Sequence, residues 1–111
     1  MSMDPKTAEL EGVVVLTALV DYQPGAVVSR TLVKKSAGTV TAFAFDAGEG
    51  LSEHTAPYDA LALIVEGDAE ISIAGTAHRV GSGQLLRLPA QQPHAVKAIT
   101  RIKMILVMIR A

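Results

Sequence analysis

Apolar residues fall along this chain in short runs separated by turn residues, chiefly glycine, proline and aspartate, and no long run carries the 3.6-residue period of a helix. Glu70 to Ala74 shows the pattern best. Ile71 and Ile73 share one face and Glu70 and Ser72 the other, which is the two-residue period of a half-buried strand. Similar runs predict strands over Val13–Val20, Val27–Lys35, Thr39–Phe45, Ala60–Val65, His78–Val80, Gln84–Leu88, His94–Ile99 and Lys103–Arg110. Turn signals lie between them, such as Asp21-Tyr22-Gln23-Pro24-Gly25, Asp46-Ala47-Gly48-Glu49-Gly50 and Gly81-Ser82-Gly83. Only Lys6 to Glu11 suggests a helical turn. Strands of this length at such spacing predict an all-β sandwich or barrel.

Two runs do not alternate. Ala60–Val65 and Met104–Ile109 are apolar at every position, so both faces of these strands need cover. In a chain this short a second copy is the expected cover, which predicts a homodimer; the alternative is a second layer from the same chain. Met104 and Met108, four apart, share one strand face and read as core.

Composition narrows the class. The 111 residues suit one domain over 1–111, with residues 1–10 expected as a flexible N-terminal segment. Half of the residues are hydrophobic and 19% are charged, which excludes a disordered chain. The net charge of -1 predicts no attraction to nucleic acid or an acidic membrane. There is no cysteine, hence no disulfide, thiol nucleophile or thiolate metal site. No apolar run approaches the ~20 residues of a membrane helix, and residues 1–10 lack the apolar core of a signal peptide. A soluble cytoplasmic protein is the expectation.

Candidate chemistry centres on two histidines. Gly48 and Gly50 allow a tight turn before the stretch that holds His54, and period two places His54 and Ala56 on one strand face. Pro89 ends the Gln84–Leu88 strand and His94 opens the next, so two imidazoles from different strands are expected at one pocket. Phe43, Phe45, Ile64 and Val96 would wall it, giving a mostly apolar small-molecule site with a few polar groups. No glycine-rich phosphate loop lies between a strand and a helix. A modest organic ligand therefore fits better than a highly phosphorylated one.

The stretch Gly48-Glu49-Gly50-Leu51-Ser52-Glu53-His54-Thr55-Ala56-Pro57-Tyr58-Asp59-Ala60, continuing to Glu66-Gly67, resembles the first motif of the cupin superfamily. Gly48, His54 and Gly67 stand where that motif has Gly, the first His and Gly. Ala56 replaces its second His and Ala60 its Glu. Gly83, Pro89 and His94 are similar to the second motif, where Gln91 replaces a Gly and Ala98 an Asn. The chain looks most like small single-domain, conserved-barrel cupins that keep Ser-Glu-His-Thr-Ala-Pro followed by Asp-Ala. The resemblance implies a double-stranded β-helix, or jelly-roll, barrel.

Metal-binding cupins surround a divalent ion (iron, manganese, nickel or zinc) with three His and one Glu. The resemblance therefore implies His54 and His94 as metal ligands, but as an incomplete set, since stable sites want three or more protein ligands. Tyr58, Asp59, Glu53 and His78 are candidates to complete it. Strict alternation sends Tyr58 inward and Glu53 and Asp59 outward, and places His78 on the face of Val80. Asp59 either orients His54 or faces solvent. The expected ligand-binding set is thus His54, His94, Tyr58, Asp59, Phe43 and Ile64. Three functions follow as expectations: a cupin that binds a small organic ligand without assigned catalysis; a metal-dependent oxygenase, isomerase or decarboxylase; and an interaction module working through its apolar faces.

Overall fold

The structure is a computed structural model that describes Leu10 and residues 12–110. The expected flexible N-terminal segment and the helical turn over Lys6 to Glu11 lie, apart from Leu10, outside the described residues. Nine strands follow one another: β1 (Val27–Lys35), β2 (Gly38–Phe45), β3 (Gly50–His54), β4 (Asp59–Glu66), β5 (Asp68–Ile73), β6 (Thr76–Gly81), β7 (Leu85–Leu88), β8 (His94–Ala98) and β9 (Ile102–Ile109). They form a five-stranded sheet ordered β1-β2-β9-β4-β7 and a four-stranded sheet ordered β3-β8-β5-β6, antiparallel throughout. The sheets face each other as the two halves of a jelly-roll barrel; the strand pattern predicts a sandwich or barrel, and the cupin resemblance implies this form of it. Among the described residues no helix is long and apolar enough to cross a membrane.

Alternation decides what enters the barrel. From β4, Ala60, Ala62 and Ile64 point inward, and they meet Ile71 of β5, Val96 and Ala98 of β8, and Ile102 and Met104 of β9. Phe45, Ile64, Ile71 and Ile102 have no exposed surface. Each such side chain contributes roughly 1.5–3 kcal/mol by its burial. Alanines at 60, 62, 69 and 98 leave room for these larger neighbours.

The doubly apolar strands are explained by a second cluster on the outer face of the five-stranded sheet. Leu19 and Val20 lie there against Leu32, Ala42, Ala44 and Ile105, with Leu10, Val14, Tyr22, Leu63, Val65 and Val107 packed around them. Cover for that face thus comes at least in part from this chain, the alternative to a second copy.

The strand expected over Val13–Val20 does not form. Leu16–Ala18 make a 3-10 turn, Val13 and Val15 are exposed, and the segment crosses the sheet face instead of pairing with an edge. An apolar run reports burial, but a strand also needs a ladder partner. Here the backbone carbonyls find other donors. Val15 O accepts from Ala18 N–H and Leu16 O from Leu19 N–H, while Thr17 O accepts from the Lys103 ammonium and Leu19 O from the Arg30 guanidinium.

Candidate functional site

The two motif histidines are direct neighbours on adjacent strands. His54, the last residue of β3, opposes His94, the first of β8. Opposed residues on paired strands bring their side chains into contact, so the pair needs no cavity to span. The ring centroids are 4.4 Å apart with the planes inclined by 69°, and the two Nε2 atoms approach to 3.1 Å.

A β-bulge makes this possible. Gly50 pairs with Lys97 and Leu51 with Val96, but His54, not Glu53, pairs with His94. One extra residue of β3 lies between Leu51 and His54. Leu51 packs inward against the core. Strict alternation from it would turn His54 outward, and the bulge returns the imidazole to the side of His94. The expectation that His54 and Ala56 share a strand face fails, because β3 ends at His54 and Ala56 lies in the connection to β4.

Each imidazole is held by a nearby main-chain carbonyl. His54 Nδ1 lies 2.9 Å from Ser52 O and His94 Nδ1 lies 3.3 Å from Gln92 O. A carbonyl only accepts, so a ring that makes this bond carries its proton on Nδ1 and, when neutral, presents a bare lone pair at Nε2. Two such lone pairs 3.1 Å apart repel unless something electron-deficient lies between them. The pair either shares a proton or, with both Nδ1 bonds kept, accepts a donor from outside. His94 is buried and His54 exposed, so approach is from the His54 side. Burial, and next the charge of neighbouring His54, hold the His94 pKa below the usual histidine range, against the bond to Gln92 that raises it.

The other expected residues stand elsewhere. Asp59 does not orient His54; its Oδ1 accepts from Ala90 N–H at 2.8 Å, and its Oδ2 lies 3.9 Å from Arg87. Its place is structural, tying the start of β4 to the β7–β8 loop, while the bond from Gln91 N–H to Ala56 O ties that loop to the β3–β4 connection. Tyr58 is half-buried, with its ring under the Arg110 guanidinium at 5.7 Å. Glu53 is exposed. Phe43 is half-buried beside Phe45, with centroids 5.7 Å apart, whereas Ile64 is sealed in the core. His78 turns inward opposite buried Ile71, but on β6, two strands from β8.

These positions bear on a metal ion. Ala56 and Ala60 stand where the motif would put further ligands, and among the described residues no three His, Cys, Asp or Glu side chains gather as a metal set. Two imidazoles alone do not fit a firmly held resident ion. Sequence reasoning finds the pair by motif spacing but misses the bulge and both carbonyl anchors. Polar Ser52 and Glu53 give no sign of an added residue.

Known proteins bear out the architecture. A conserved Streptococcus pyogenes protein of unknown function is 36% identical over 94% of this chain and 91% of its own, with a TM-score of 0.87. A cupin superfamily protein from Desulfitobacterium hafniense is 26% identical, covers 92% of this chain and 94% of its own, and gives 0.86. A cupin 2 conserved barrel domain protein from Leptotrichia buccalis is 37% identical over 85% of this chain, which spans 46% of that protein, with a TM-score of 0.82. No curated protein matches this chain. The family model described as Cupin domain matches residues 42–110, from inside β2 past the end of β9. A match over more than half of the sequence, joined to these folds, places the chain in the cupin family.

Proposed function

We propose that this protein binds a small organic ligand at the barrel mouth through His54 and His94, without a resident metal and without an assigned catalytic step. The observation that carries the reading is the 3.1 Å approach of two Nε2 atoms whose rings are each held by a carbonyl at Nδ1. Held this way, the pair offers two acceptor nitrogens 3.1 Å apart to a donor arriving from the His54 side. An O–H or N–H of a ligand donated to this pair relieves the lone-pair repulsion and leaves both Nδ1 bonds intact. Ala56 nearby presents a methyl group, which suits an organic molecule with few charges.

The test joins elemental analysis of protein purified without chelators to thermal melting with a panel of small hydroxy acids, alcohols and amines. The expected result is metal far below one per chain, with a melting shift from a hydroxyl- or amine-bearing compound that the His54→Ala/His94→Ala variant loses. Iron, manganese, nickel or zinc near one per chain would replace this reading with the metal-dependent oxygenase, isomerase or decarboxylase. A panel that shifts the double variant as much as the native protein would remove the histidines from recognition.

A further inference from the structure

The inner face of β1 and β2 is polar where a barrel interior is ordinarily apolar. Thr41 opposes Thr31 on one side and Leu106 on the other, and Leu106 packs against the barrel core, so both threonines face inward. Thr39, two residues earlier on β2, faces the same way, opposite Met108. Their outward neighbours Val40 and Ala42 belong to the cluster under the strap. The usual alternation is inverted here, apolar outside and polar inside. All three threonines are half-buried, and none of their hydroxyls makes a hydrogen bond among the described residues. Such hydroxyls are satisfied by water or by a ligand.

Thr39 and Thr41 stand at the histidine end of the barrel. β2 begins at Gly38, which opposes Ile109 near the end of β9, and Ile109 opposes Asp59 at the start of β4. His54 ends β3, which leads through residues 55–58 to that same Asp59, and His94 begins β8. β6 packs against β4, which sets the β3–β8 side of its sheet opposite β2 and β9. The threonines therefore look across the barrel at the imidazoles. At the far end Phe45 and Ile102 have no exposed surface, whereas Thr39, Thr41, Leu106 and Met108 are partly exposed, so the mouth half is an open cup.

Charge stays outside this cup. Lys34, opposite Thr39 on the β1 edge, and Arg110, whose guanidinium lies against Tyr58, are exposed at the rim. Glu53, beside His54, is exposed too, and Asp59 is held by Ala90 N–H and faces Arg87. Between the threonines and the imidazoles the inward positions are Leu106, Met108 and Ile73, all uncharged.

We propose that the ligand of this mouth is a small neutral polyol that spans the cup, one hydroxyl donated to the His54–His94 pair and others paired with Thr39 and Thr41; this rests on the ligand-binding reading of the histidines. A hydroxyl both donates and accepts, so threonine and polyol hydroxyls satisfy one another without charge. Leu106 and Met108 receive the C–H surface of the carbon chain. Facing sheets lie ~10 Å apart, a gap that side chains from both walls narrow to the length of a short chain. An anion there would leave water for uncharged walls, which disfavours it.

The experiment titrates ribitol into the native chain, with 1-pentanol and ribonate as controls, and follows amide and imidazole NMR signals. Ribitol is expected to move His54, His94, Thr39 and Thr41 saturably and to bind more tightly than either control. Thr41→Val keeps the branched shape and loses only the hydroxyl, so it should weaken ribitol about five-fold, the scale of one neutral hydrogen bond, and leave 1-pentanol unaffected. Thr41→Ser, which keeps the hydroxyl, should bind ribitol as the native chain does. Ribitol binding that is lost in His54→Ala/His94→Ala yet unaltered in both Thr39→Val and Thr41→Val would overturn the role of the threonines and leave the histidine site standing. Ribonate or 1-pentanol binding as tightly as ribitol would overturn the neutral polyol, again without touching the histidines. Ribitol binding that survives the double histidine variant would remove the histidine reading and this assignment with it. The absence of any saturable ribitol shift would overturn the polyol outright.

Discussion

His54 opposes His94 across the β3–β8 ladder because β3 carries one extra residue after Leu51. From this contact the electrostatics of the mouth follow. His94 is buried beneath an exposed neighbour of the same kind, and its pKa is lowered by that burial and by the charge of His54. Replacing His54 by alanine removes the second cause and part of the first, since water then reaches the ring. His54→Ala should therefore raise the His94 pKa toward the ordinary histidine value. Titration of the ring signals by NMR measures this directly. An unchanged midpoint would mean that the two rings are not electrically coupled.

The same lowered pKa makes stability depend on pH. The unfolded chain takes up a proton near 6.5, while folded His94 resists it. Below that value the unfolded state binds more protons, so stability falls as pH falls and the loss is complete once folded His94 is protonated. Above about pH 7 this contribution is flat. Asp46, whose carboxyl is held low by Gly25 N–H, then by Arg101 and Ala47 N–H, adds its own loss only in the more acidic carboxylate range. Melting temperatures between pH 7.5 and 5 should decline in the native chain and change much less in His94→Gln. Parallel curves for the two proteins would contradict the assignment to His94.

Much of this architecture is legible in the residues, and the illegible parts have physical causes. Most strands from Val27 onward announce themselves because half-buried runs alternate and most turns carry glycine, proline or aspartate, whereas Gly50–His54 is marked only by its motif histidine. His54 and His94 are found by their resemblance to the two cupin motifs. The bulge is hidden because Ser52 and Glu53 are both polar, so an added residue breaks no apolar pattern. Val13–Val20 misleads because hydrophobicity cannot distinguish a strand in a ladder from a strap laid across a sheet.

Gln91 shows a motif position whose backbone demand outlasts its residue. It has φ of 67°, in the left-handed region, and the similar cupin motif has glycine there. Its N–H still donates to Ala56 O at 2.8 Å, which ties the two loops beside the histidines. A side chain in this conformation costs on the order of 1 kcal/mol, and glycine recovers most of it less its own unfolded-state entropy. Gln91→Gly should stabilise by about 0.5 kcal/mol, and β-branched Gln91→Val should destabilise by about 1–2 kcal/mol. Chemical denaturation of the three proteins gives the order. Valine at least as stable as glycine would contradict the left-handed backbone.

The strap over the outer sheet face is held at its end by Tyr22. Its hydroxyl donates to Glu66, and its ring lies 5.1 Å from the Arg101 guanidinium and 4.8 Å from the Lys103 ammonium. Burial, then the bond to Glu66, pushes its pKa well above the tyrosine range, so the phenol keeps its proton at any working pH. Tyr22→Phe removes only the hydroxyl and should cost about 1 kcal/mol. Tyr22→Leu also removes the ring face from both cations and should cost about 1 kcal/mol more. Because Leu19 and Val20 remain buried, the loss should be local before it is global. Hydrogen exchange should quicken at residues 12–22 in Tyr22→Leu and change little in β4 and β9, which sit inside the sheet. Equal acceleration throughout would make Tyr22 part of the core's cooperative unit, whereas no acceleration at all would leave the strap held by its two buried aliphatic side chains alone.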